Sequence, residues 1–136
     1  IGGDVTCCTD RGKAMTDNET IVRNFVAAWA RRDADELMGY FTDDIIYHNM
    51  PMAPLAGLAM VRVGISTFLK EWTATQWDLR NIMAAGDVVM TERVDNITAH
   101  GKQLALPVCG IFELRGGKIA VWRDYFDMGT YAKAFA

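Results

Sequence analysis

One serine, two histidines and three cysteines are all that these 136 residues offer to the commonest nucleophilic and metal chemistries. The lone Ser66 leaves a Ser–His–Asp hydrolase little material to work with. His48 and His100 each stand without a second ligand type at ligand spacing, so no metal site is expected. Cys7 and Cys8 are adjacent near the N-terminus, and Cys109 sits alone in a strand-like run beside Gly110. That is neither a disulfide framework nor a zinc pattern, so a reducing cytoplasm is the expected setting and Cys109 reads as packing. Basic runs are missing too: the longest is Arg31-Arg32, in a chain of formal net charge −3. Neither nucleic acid nor an anionic membrane is expected as a partner. No apolar run reaches the roughly 18 residues of a membrane span.

What is present is an ordinary globular composition, half hydrophobic, long enough for one sizeable core. Residues 1–15 lack the basic start and apolar centre of a signal peptide and show no periodicity. They are expected to form a loosely attached leader, with Met15 as a plausible natural start, ahead of a single domain over 16–136. Thr16 with Glu19 forms a capping box, and Ile21, Phe25, Ala28 and Trp29 fall at helical spacing, predicting a helix over 17–31. Asp33 caps a second helix over 34–41. A first strand is expected at 43–50, closed by the Pro51–Pro54 segment, and a third helix at 61–72.

From there the pattern alternates, predicting strands at 75–84, 87–99, 103–115 and 118–127. Gly86-Asp87 and Gly116-Gly117 sit where hairpin turns belong, so the four strands should form an antiparallel meander. A short helix should close the chain after Asp127. The class is α+β, with helices packed on one face of a curved sheet.

Strand parity then assembles a candidate site, because residues two apart share a face. Arg93 and Asp95 face one way, as do Trp122, Asp124 and Phe126; Tyr47 and Asn49 form a third pair. If these faces coincide, two carboxylates and one guanidinium meet in a cavity walled by Leu104, Leu106, Val108 and Phe112, with the helix over 61–72, including Leu69, on its lid side. One arginine can bridge two acids with several donors, which makes their burial tolerable. Such a group has a place for one proton to be shared or transferred. The same spacing also serves a structural ion pair, and a lone aspartate near a strand end also serves as a cap.

The combination YHNMP, TERVD and WRDYFD, in that order, resembles the limonene-1,2-epoxide hydrolase family from about Glu19 to Phe135. The resemblance implies the cone-shaped α+β fold shared with nuclear transport factor 2, ketosteroid isomerases and small polyketide cyclases. That is a curved, mixed but mostly antiparallel sheet with helices on its concave face. It implies direct addition of water to an apolar, terpene-like epoxide, giving a vicinal diol with no covalent intermediate, cofactor or metal. By the same resemblance Asp124 is the general base, Tyr47 and Asn49 hold the water, Asp95 is the general acid and Arg93 bridges the two acids. Trp122, Leu104, Leu106, Val108, Phe126 and Leu69 are expected around the substrate, and a homodimer through the outer sheet face. The segment 72–84, with Trp72 and Trp77, departs from the family's pocket lid. Two other readings fit the fold: an isomerase or cyclase using one aspartate, and a non-catalytic dimeric binder of hydrophobic ligands.

Overall fold

The computed structural model describes residues 17–136. The expected leader and the Thr16 half of the capping box therefore lie outside the described residues. Helix α1 covers residues 17–28 and tightens into a single 3-10 turn at Trp29–Arg31. Its buried face carries Val22, Phe25, Val26, Ala28 and Trp29. Helix α2 (Ala34–Met38) starts where Asp33 accepts hydrogen bonds from the Asp35 and Glu36 amides. It stops at Gly39, short of the expected end, because glycine is a poor helix former. Phe41 instead opens strand β1 (Phe41–Asn49), and a two-residue strand β2 (Leu55–Ala56) pairs with it.

Helix α3 spans Leu58–Glu71, three residues earlier than expected. Its N-cap is Gly57, which has no side chain to announce a helix start, and that is why the spacing missed it. Trp72, expected at the helix end, is the first residue of strand β3 (Trp72–Ala85). Strands β4 (Val88–Ala99), β5 (Lys102–Arg115) and β6 (Lys118–Tyr125) follow, and helix α4 (Met128–Ala134) begins after Asp127, whose side chain accepts from the Thr130 amide. Hairpin turns are tight: His100 and Gly101 join β4 to β5 with φ of 53° and 71°. Both central residues are left-handed, which matches the right-handed twist of the strands.

The six strands lie in the order β2-β1-β6-β5-β4-β3. The meander β3 to β6 is antiparallel throughout, as expected, while β1 runs parallel to β6. That one parallel pairing makes the sheet mixed and sets Asn49 opposite Asp124. The core fills the inner face: Phe25 and Trp29 from α1 and Val61 and Ile65 from α3 meet Ile45, Phe112, Ile119 and Trp122 from the sheet. A smaller cluster of Leu104, Leu106 and Val108 packs under α4 against Phe126, Tyr131 and Phe135. Residues of both clusters line one cavity on this face.

Candidate active site

Three neighbouring strands bring the charged side chains together. β4 supplies Thr91, Arg93 and Asp95, β5 supplies Val108 and Gly110, and β6 supplies Asp124. Arg93 Nε donates to Asp95 Oδ1 and Nη2 to Asp95 Oδ2, both at 2.9 Å. The same Nη2 donates to Asp124 Oδ2 at 2.8 Å, and Nη1 to Asp124 Oδ1 at 3.2 Å. One guanidinium thus clamps two carboxylates with a pair of bonds each. All three residues are at most 4 % exposed. Burial of this kind requires charge pairing and filled hydrogen bonds, and both are present.

The aromatic layer around the clamp fixes its position. Arg93 lies over the Trp77 ring, 4.5 Å from its centroid, and Trp77 stacks on Trp29. A guanidinium over an indole face gains from the ring quadrupole. Trp77 is register partner to Asp95, so the alternation that aims Asp95 inward aims the indole inward too. Trp122 Nε1 donates to Asp124 Oδ1 at 2.7 Å, giving that carboxylate three N–H donors in all. The Trp122 ring stacks on Tyr47 at 4.1 Å, and Tyr47 Oη donates to Asn49 Oδ1 at 3.1 Å.

Charge placement separates the ionisable groups. Burial pushes the Asp95 carboxyl up to about 6 from its ordinary 3.8, although Arg93 opposes the shift. The Tyr47 phenol is held well above its usual range by burial and by the charge of Asp124, so it stays a neutral hydrogen-bonding group. Arg93 is held firmly protonated: the two aspartates outweigh the burial that acts against its charge.

Tyr47, Asn49, Asp95 and Asp124 all line one cavity of about 480 Å3, open mouth included. Leu106, Val108 and Phe126, expected around the substrate, are on its wall. Four other expected wall residues are not, the first being Phe112, which is wholly buried in the main core. Trp122 is wholly buried one layer deeper, beneath Tyr47 and against Phe25 and Phe112. Leu104 lies further along β5 in the cluster under α4. Leu69 turns onto the main core, while its neighbour Phe68 faces the cavity. Parity gave the correct face for Leu104 and Trp122 but said nothing of depth or distance from the acids.

The wall also includes residues that had not been placed there. Trp72, Trp77 and Ile97 come from β3 and β4, Met52 from the loop after β1, and Met128 and Tyr131 from α4. The indole Nε1 of Trp72 donates to Tyr131 Oη at 3.1 Å, tying the start of β3 to the closing helix. Parity already puts Ile97 on the face of Asp95 and could have found Trp77 as well; no local signal announces α4 as part of the rim. Cys109 is exposed, because its parity opposes that of Val108 and Gly110. Among the described residues no three His, Cys, Asp or Glu side chains could share a metal ion, and no helix is long and apolar enough to cross a membrane.

Comparison with known proteins gives the family. The model of the limonene-1,2-epoxide hydrolase catalytic domain matches residues 16–136. The chain is 31% identical over 112 residues to epoxide hydrolase EphG of Mycobacterium tuberculosis, covering 79% of this chain and 71% of that protein. A solved M. tuberculosis LEH-like epoxide hydrolase superposes with a TM-score of 0.78 at 28% identity, over 88% of this chain and 90% of that one. A Catenulispora acidiphila protein with a ketosteroid isomerase-like fold reaches a TM-score of 0.76 at 21% identity, over 84% and 90% of the two chains; that likeness shows the fold alone. With its domain matched from residue 16 to 136, the chain belongs to the limonene-1,2-epoxide hydrolase family and is an epoxide hydrolase by that membership.

Proposed function

We propose that the enzyme adds water directly to an apolar, cyclic or terpene-like epoxide and releases a vicinal diol, with no covalent intermediate and no cofactor. The observation that carries this reading is the Arg93 clamp on two buried carboxylates at the edge of an apolar cavity. Opening an epoxide needs an acid at oxygen and an activated nucleophile at carbon. Asp95, whose carboxyl holds its proton up to about pH 6, is the acid. Asp124, met by three N–H donors, is the base. The pairing of Asn49 with Asp124 across the parallel β1–β6 ladder, and the Tyr47–Asn49 hydrogen bond, support Asn49 and Tyr47 as the holders of a water beside it.

In the step itself the water oxygen bonds to a ring carbon while the carbon–oxygen bond of the ring breaks. Asp124 takes a proton from the water, and Asp95 gives its own to the oxirane oxygen. The two carboxyls leave the step with protonation states exchanged, so one proton must return before the next turnover. Arg93 stays cationic throughout and limits the swing in local charge. Leu106, Val108, Phe126, Trp77 and Phe68 orient the apolar body of the substrate.

The reading carries a homodimer with it. The outer sheet face exposes Met83, Met90 and Tyr125, an apolar set suited to a second copy. It also carries a cytoplasmic setting, from the cysteine usage. The mechanism is tested by Asp124→Asn, which is isosteric and keeps the strand. Diol formation from cyclohexene oxide or limonene oxide should fall about 1000-fold or more with the fold intact by circular dichroism. Near-normal turnover would sink the mechanism.

A further inference from the structure

The Arg93 clamp has to cross a strand. Arg93 stands on β4 and Asp124 on β6, with β5 between them, so the guanidinium must span two strand spacings of roughly 4.8 Å each. The side chain in its way belongs to residue 110, which is register partner to Asp124 on one side and to Thr91 on the other. That residue is Gly110. A Cβ there would stand 2.6 Å from Arg93 Nη1 and 2.8 Å from both Asp124 Oδ1 and Thr91 Oγ1. None of the three can yield cheaply, since all lie in the same buried polar knot.

The backbone does not ask for glycine at this position. Gly110 is absent from the residues of positive φ, and it lies inside a regular ladder where glycine weakens a strand. Its neighbours on the same face, Val108 and Phe112, are large and buried. The three nearest atoms that its missing side chain makes room for belong to the guanidinium and to two groups the guanidinium holds. We infer that Gly110 is a positioning residue: it forms the notch through which Arg93 reaches Asp124 and so couples the acid to the base.

The inference rests on the acid–base mechanism proposed above, and Asp124→Asn measured in parallel separates failure of that mechanism from failure of this one. Gly110 is not part of the cavity wall, so Gly110→Ala should leave KM for cyclohexene oxide within about twofold while kcat falls about 100-fold. The pH profile of kcat/KM should also change shape, because the two acids no longer share one cation. Unchanged kcat and pH profile in Gly110→Ala, with Asp124→Asn inactive, would overturn the role of Gly110 alone. The second measurement is a melting cycle in the Arg93→Ala background, run near pH 5. There Asp124 and Thr91, no longer held by Arg93, can shift into the volume the guanidinium leaves, so Gly110→Ala should lower the melting temperature much less than in the wild type. A loss of equal size in both backgrounds would show that the clash is not with the guanidinium and would reject the inference.

Discussion

The sheet carries an arginine–carboxylate arrangement on each of its two faces, and the two differ in nearly everything but composition. On the inner face Arg93 is wholly buried and holds two carboxylates. On the outer face Arg123, which adjoins Asp124 in the chain, pairs with Glu113 at 2.6 Å while both side chains remain partly open to solvent. Water screens the outer pair and competes for its hydrogen bonds, so it contributes little. The inner trio has lost that solvent, and each member depends on the others. Sequence adjacency thus misleads about pairing: Asp124 is bound to the arginine two strands away, not to the one beside it.

The largest effect should follow from removing the shared member of the inner trio. Arg93→Ala leaves two carboxylates buried without their cation and should cost about 4 kcal/mol of stability as well as activity. A denaturant titration with a parallel diol assay checks both. Survival at wild-type stability would mean that the clamp carries no load.

A smaller and more selective effect is expected at Asp95. Asparagine mimics the neutral acid, so Asp95→Asn should stay close to wild-type stability at pH 4–5 and still lose about 100-fold in turnover. The pH behaviour follows from the raised carboxyl. Because the folded protein holds this proton more tightly than the unfolded chain, the associated stability is full below the ordinary value of 3.8 and is lost as pH rises through about 6. Melting curves should show that decline in the wild type and not in Asp95→Asn. Under the proposed mechanism activity needs the same proton and should fall along an alkaline limb starting near pH 6. A variant that loses stability but keeps turnover would favour a structural network over a catalytic one.

The smallest effect belongs to the outer pair. Glu113→Gln should change stability by less than about 1 kcal/mol and leave diol formation unaltered. A large loss there would erase the distinction between the two faces.

Strict alternation made much of the inner face legible. Arg93 and Asp95 two apart, and Trp122, Asp124 and Phe126 on the last strand, define their side from chemistry that any reader of the chain can apply. The meander was legible for the same reason, helped by its glycine turns. Depth was not. Nothing in the spacing says that Trp122 lies beneath Tyr47 while Phe126 reaches the cavity, because that depends on how β1 pairs in parallel with β6. Face alone puts Leu104 and Leu69 near the acids, but distance along the strand and rotation about the helix carry them elsewhere. Helix α3 began early at a residue with no capping side chain, and α4 joined the rim through a long-range Trp72–Tyr131 bond. Both depend on tertiary contacts rather than local preference.

In the proposed mechanism water, held by Asp124, Tyr47 and Asn49, attacks the epoxide without an enzyme-bound ester. A single turnover in oxygen-18 water, with enzyme in excess over cyclohexene oxide and mass analysis of both product and protein, tests it directly. Direct attack puts one labelled oxygen in the diol and none in the protein; an unlabelled diol with label in an enzyme carboxylate would mean an ester intermediate instead.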